Sequence, residues 1–281
     1  MKKVPPILGS IMYLNSPEVD NLLESLEGGL VEQFRQTAKS TSVKSGEGTV
    51  GIPKIGLGVE GQIASGNESA REEVGKTTPV SRLASLRAIL IEREYVQYIN
   101  SVSEELRPTL TVGALVEITG ELNVSAFTQF IDMASGLLNL RSAYSGLFGN
   151  LINVDAETEQ VIRYLADVAG KGIPVCIRPA RASASKRDMD FACILSPDHM
   201  RVSRDELMGN VSVLGRIKRV LARNEVVYFY ELVPGMSRFS GTQMKVLVKK
   251  LTSSQKGPSF TEQDLRLRYP SVLVTPIAIY S

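Results

Sequence analysis

An α+β fold is predicted by three features of the chain. Helix-like and strand-like segments alternate irregularly rather than as a strict βαβα series, the last third is strand-rich, and hydrophobic and charged residues make up 43% and 22% of 281 residues, which suits a globular protein with a real core. Four segments follow from the pattern: a strand–helix unit at 1–35, a flexible Gly/Ser-rich insert at 36–78, a helix-rich part at 79–171 and a basic strand-rich part at 172–281.

The elements justify themselves in order. Residues 7–14 read as a strand. Ser16 can cap a following helix and Pro17 suits its first position, where no N–H is needed. Val19, Leu22, Leu23, Leu26 and Leu30 keep helical spacing, and Gly28-Gly29 supplies a left-handed stop. Within the insert, Val50, Ile52, Ile55, Leu57 and Val59 are interleaved with glycines, an extended pattern. Thr78-Pro79 opens a helix expected over 79–100, with Leu83, Leu86, Leu90 and Ile91 as its apolar stripe. A strand follows at 110–122. Ser125 and Asp155 are the expected caps of two further helices, the first carrying Phe127, Phe130, Ile131, Ala134, Leu137 and Leu138, the second Val161, Ile162, Leu165 and Val168.

In the last third, 173–178 and 191–195 are short apolar runs joined by a basic loop. Ser203 and Glu206 have capping-box spacing. Residues 211–221 and 226–233 flank a four-residue turn and predict a hairpin. Residues 271–280 read as a final strand, with Pro276 arguing for an edge or a break. A working boundary near residue 171 rests on Gly170-Lys171-Gly172 and on charge: residues 1–171 carry −6 and residues 172–281 carry +8, against +2 for the whole chain. Such asymmetry fits an anionic partner or complementary halves.

The two cysteines, Cys176 and Cys193, favour a reducing compartment, and a cytoplasmic location is expected. Pro5, Pro6, Asn15 and Glu18 interrupt any signal-peptide core, and no run is long and apolar enough for a membrane helix.

Candidate chemistry is sparse. The one histidine, His199, lies in a turn after a strand, without a nucleophile elbow or cysteine-protease signature around it. Cys176, Cys193 and His199 lack paired zinc-ligand spacing. Gly75-Lys76-Thr77 lacks the first glycine of a phosphate loop, since position 70 is Ala70. Asp188 and Asp190 are too few for a cation site. No catalytic residue, metal site or cofactor is therefore expected. The informative cluster is the loop 178–187, where Arg178, Arg181, Lys186 and Arg187 accompany Ser183 and Ser185; Arg216 and Lys218 add two cations on one face of a strand. Clustered cations and hydroxyls can hold phosphate. The lack of tryptophan and of a known module weakens the case for nucleic acid and leaves that partner open. A membrane-acting role would use the extended stretch 50–63, without spanning. Segment 133–152 reads as a core helix pair or an oligomer contact.

Several stretches together resemble an uncharacterised bacterial protein family: Ile11-Met12-Tyr13-Leu14-Asn15, Val19-Asp20-Asn21-Leu22-Leu23, Gly28-Gly29-Leu30-Val31-Glu32, Val213-Leu214-Gly215-Arg216-Ile217 and the closing Pro276-Ile277-Ala278-Ile279-Tyr280. Asn15 stands where that family favours aspartate. The family is a domain of unknown function, so the resemblance transfers no catalytic residue; it implies a bacterial cytoplasmic accessory protein and, by extension, a part in anti-phage defence. The expected function is a non-enzymatic interaction protein that binds a protein partner or itself. The alternatives are a sensor of a nucleotide or phosphorylated ligand and a membrane-acting effector.

Overall fold

The computed structural model describes residues 9–26, 78–103, 105–144, 156–181, 189–235, 242, 246 and 263–281. Among these the fold is α+β, a mixed sheet of mostly antiparallel strands with helices. The chain divides into two compact units, Pro17–Leu86 on the one hand and Met1–Ser16 with Arg87–Ser281 on the other. The smaller unit holds most of helix α1 (16–26) and the start of α2 (Pro79–Glu92). Within it Arg82 Nη1 donates to Asp20 Oδ2 at 2.7 Å, and Val19, Leu23, Leu83 and Leu86 are buried. Thr78 opens α2 as expected, its hydroxyl accepting from the Ser81 N–H and its carbonyl from the Arg82 N–H.

The expected long helix stops early. Glu94 takes a left-handed φ of 57°, the Glu94 N–H bonds back to Ile91 and the Tyr95 N–H to Leu90, and the chain leaves as strand β2 (Val96–Ile99). This is the paired closure of a helix end that glycine usually makes. With glutamate there, the sequence carries no visible stop signal.

The larger unit is built on a ring of strands. β4 (Leu115–Val124) pairs antiparallel with β5 (Ile173–Arg178), β5 antiparallel with β7 (Phe191–Leu195), β7 parallel with β11 (Val272–Tyr280), β11 antiparallel with β8 (Gly209–Val220), and β8 antiparallel with β4 again. The sheet therefore closes into a barrel. β2 adds to the outside edge of β4 in parallel, and β1 (Ile11–Leu14) adds antiparallel to the end of β11. A short parallel pair, β3 (Ser101–Val102) with β6 (Ala180–Arg181), lies beyond.

Alternation along each strand fills the barrel. Val116, Ile118 and Leu122, Ile173, Val175 and Ile177, Phe191, Cys193 and Leu195, Val211, Val213 and Ile217, and Val272, Val274 and Ile279 form one buried cluster. A ring this small has room only for side chains. It also forces backbones close together. A Cβ on Gly215 would lie 2.8 Å from the Thr275 carbonyl oxygen, and one on Gly120 2.5 Å from that of Arg178. Both positions need glycine for the approach rather than for the turn.

A second layer covers the outside of β5, β7 and β11. Helix α3 (Ala126–Ala143), capped by Ser125 accepting from the Thr128 N–H, brings Phe127, Phe130, Ile131 and Leu138; α4 (Ala156–Ala169) brings Ile162, Leu165 and Val168. They pack with Ala192, Leu273 and the half-buried Cys176 of the barrel wall. The described part of 133–152 is the second half of α3, which sends Ala134 and Leu138 into the core; residues 145–152 lie outside the described residues.

Three expectations need correction. Strands on the two sides of residue 171 pair with each other, so no structural boundary lies there. The 211–221/226–233 hairpin does not form: β9 (Val226–Tyr228) turns directly into a helical turn, α5 (Phe229–Leu232), and pairs instead with β10 (Arg266–Arg268). Of the two alternatives at Pro276 the break holds and the edge does not, since β11 is central. Its proline falls where the β8 register slips between Pro276 and Ala278, and in the gap between its β7 and β1 pairings, so the missing N–H costs no ladder bond. The insert before Thr78, Gly28-Gly29 and Asp155 lie outside the described residues.

Candidate functional site

Of the predicted cation cluster, Lys186 and Arg187 lie outside the described residues, and only the backbone of Arg181 is described, in β6. Arg178 ends β5 and is engaged: its Nε donates to Asp190 Oδ1 at 2.8 Å and its Nη2 to Asp190 Oδ2 at 3.3 Å. Arg216 faces Leu115 of β4, whereas Arg178 faces Glu121, six positions along the same strand. At about 3.3 Å per residue these cations stand roughly 20 Å apart. Lys218 occupies the extra position where β8 bulges against β11, between Ile217 facing Val274 and Arg219 facing Leu273, so it leaves the regular alternation that would set it beside Arg216. The structure does not bring Arg178 together with Arg216 and Lys218.

The other predicted chemistry is separated by the barrel wall. Cys193 points inside and Cys176 outside, so the two cysteines and His199 cannot converge on one ion, and among the described residues no group of metal-ligating side chains occurs. Burial pushes the Cys193 thiol up to about 12, and burial with the Asp190 and Cys193 charges pushes Cys176 well above the ordinary thiol range. Both are inert thiols at neutral pH. His199 stands in the turn Pro197–His199, half-buried, with its ring edge-on to Tyr13 at 5.8 Å. It is a packing residue as well as a turn residue.

Two clusters carry little signal in the sequence. On the outer face of β4 the Glu117 carboxylate accepts from Arg87 Nε at 2.9 Å and Nη2 at 2.8 Å, both residues being buried, and the guanidinium lies 5.8 Å from the Tyr280 ring centre. The Glu117 hydrogen bonds hold Arg87 firmly in its charged form, against the cost of burial. Burial and then the Glu117 carboxylate push the Tyr280 phenol above its usual range, with Arg87 opposing. The partners come from α2, β4 and β11, too far apart in sequence for spacing to reveal.

The second cluster is the β9–β10 ribbon. Arg266 faces Tyr228 and Arg268 faces Val226, while Leu267 and Val227 between them are buried. Directly opposed residues share a face, so Arg266, Arg268 and Tyr228 lie on the side away from Leu267 and Val227; Arg268 is exposed, while Arg266 and Tyr228 are half-buried and Tyr228 also packs on the edge of the core beneath α3 and α4. Alternating leucines and arginines at 265–268 are the available sign. At the base of the ribbon, Arg107 Nη2 donates to the Leu221 carbonyl at 2.6 Å and its guanidinium covers the Tyr269 ring at 4.5 Å.

Among the described residues no helix is long and apolar enough to cross a membrane. No curated protein and no solved structure matches the chain. A family model does match, over residues 10–280, and the chain accordingly belongs to the domain of unknown function DUF6414.

Proposed function

We propose that this protein is a non-enzymatic interaction protein that acts by binding a partner protein, a second copy of the chain being one such partner. One observation carries the reading: the two cysteines, the one histidine and the arginines Arg87 and Arg178 are engaged or sealed. Both cysteines are held as thiols, Arg178 and Arg87 are each closed on a carboxylate by two hydrogen bonds, and His199 packs on Tyr13 away from any metal-ligating group among the described residues.

The contact surface we assign is the free edge of β2. This strand ends the sheet, and no other described strand pairs with its outer side. Tyr98 upon it is 45% exposed and Tyr95 just before it 53%. An extended segment added there would satisfy the open backbone groups, with the tyrosines supplying contact area. The anion-sensor alternative loses Arg178 to Asp190, and the membrane alternative rests on residues outside those described.

Light scattering on purified full-length chain, with capture from native lysate as the second arm, tests the reading. Wild type should run as a complex or dimer, and Tyr95→Lys/Tyr98→Lys should run as a monomer with an unchanged melting temperature. A wild-type monomer at every concentration that also retains no partner would overturn it.

A further inference from the structure

The ring of strands has a specific order. Taken in chain order, β4, β5, β7, β8 and β11 are the first to fifth barrel strands, and the ring runs first-second-third-fifth-fourth and back to the first, with third and fifth parallel. This is the connectivity of the five-stranded oligonucleotide-binding barrel. Such barrels bind along the face of their second and third strands and through the loops joining strands one to two and four to five. Here the first of those loops holds α3 and α4, which pack over the outer side of β5 and β7. The usual platform is thus covered by the chain itself. The loop between the fourth and fifth strands remains, and it holds the β9–β10 ribbon.

We infer that the outward face of this ribbon, Arg266, Arg268 and Tyr228, with Arg223 of the preceding turn, is a binding surface for single-stranded nucleic acid. Arg268 and Arg223 are exposed, and Arg266 and Tyr228 are half-buried. A row of arginines with an aromatic ring at its side is the pairing that tracks a phosphate backbone while stacking a base. Tyr228 is held for this by stacking on the buried Tyr230, ring centres 5.2 Å apart and 29° between planes. A duplex hides its base faces, so single strands fit better. Arg107 closes the foot of the ribbon through Leu221 and Tyr269, which fixes the ribbon on the barrel.

The inference goes beyond the protein-partner reading and stands or falls separately from it, because the ribbon and the β2 edge are different surfaces. Fluorescence anisotropy with labelled 20-nucleotide single-stranded DNA, single-stranded RNA and the matching duplex tests it on the full chain. Both single strands, or one of them, should bind more tightly than the duplex. Arg266→Gln/Arg268→Gln should weaken binding about tenfold and lower the salt slope by about 1.4, at roughly 0.7 for each phosphate no longer neutralised. Tyr228→Leu should weaken it by roughly five- to a hundredfold through loss of base stacking. Arg178→Gln should change nothing, and melting temperatures should stay within a few degrees of wild type. Absence of single-strand binding at low salt, equal affinity for the duplex, or equal losses from Arg178→Gln would each overturn the assignment; binding to anionic vesicles instead would do so as well.

Discussion

Two arginine–carboxylate pairs of nearly the same geometry sit in very different surroundings. Arg87 grips Glu117 with bonds of 2.8 and 2.9 Å, and Arg178 grips Asp190 with bonds of 2.8 and 3.3 Å. Yet the Arg87 and Glu117 side chains are 10% and 6% exposed, against 54% and 25% for Arg178 and Asp190. Water decides what each is worth. Charges removed from water depend strongly on each other, since solvent cannot replace a partner that is lost. A pair left in water exchanges one set of favourable interactions for another.

The largest effect should follow from removing Glu117. Glu117→Ala leaves a buried guanidinium without its carboxylate and is expected to cost about 3–5 kcal/mol in urea unfolding. The double change Arg87→Met/Glu117→Leu should recover most of that loss, because it removes both charges and keeps the volume. A single-variant loss below about 1 kcal/mol would place the two pairs in the same class and break the comparison.

Next comes the barrel backbone beneath the buried pair. Gly215 faces Val116, next to Glu117, and its missing side chain lets β8 approach β11. Gly215→Ala must push aside the Thr275 backbone as well as the Val274 side chain, at an expected cost of about 1–3 kcal/mol. Gly136, with nothing within 4 Å of its would-be Cβ, is the control. Gly136→Ala on helix α3 should be neutral or stabilising.

A third effect is graded with pH. Burial pushes the Tyr13 phenol from 10.0 to about 12 and the Cys193 thiol from 9.0 to about 12. In each, the folded protein holds its proton more tightly than the unfolded chain does. The stability so linked is whole below about pH 9–10 and falls as pH rises towards about 12. Tyr13→Phe should flatten part of that alkaline slope in a chemical-denaturation series. An unchanged slope in both Tyr13→Phe and Cys193→Ala would show that burial at these sites lacks the expected electrostatic consequence.

Most of the barrel's strands are legible in the sequence because alternation is a local signal. Residues 173–178, 191–195 and 211–221 each read as strands from their own side chains, and the Ser125 cap and the Ser203–Glu206 box are legible for the same reason. Closure is not legible. It depends on β8 meeting both β4 and β11 across long stretches of intervening chain, and no local pattern records that. β2 is hidden because Leu83, Leu86 and Leu90 keep helical spacing up to a stop made by Glu94, a residue without glycine's signature. The candidate site fails for a related reason. Proximity along the chain groups Arg178 with Arg181, Lys186 and Arg187, but the fold turns Arg178 onto Asp190. It also puts Arg216 at the other end of β4. The ribbon's arginines escape a sequence reading because a two-arginine strand gains meaning only when its partner strand presents a tyrosine beside it.

The smallest effect sharpens the comparison from its exposed side. Arg178→Ala gives up two hydrogen bonds on paper, the same number as at Arg87. Asp190 is left at the surface, where water replaces the guanidinium, and the arginine side chain no longer has to be held in one geometry. The expected loss is about 0.2–1 kcal/mol, shrinking as salt is raised from low to physiological strength. The same salt series on wild type and on Glu117→Ala should leave the Glu117 loss nearly constant, because ions do not reach that pair. An Arg178→Ala loss above about 2 kcal/mol, insensitive to salt, would mean that the chain following β5 screens this pair from water as thoroughly as the barrel wall screens Glu117.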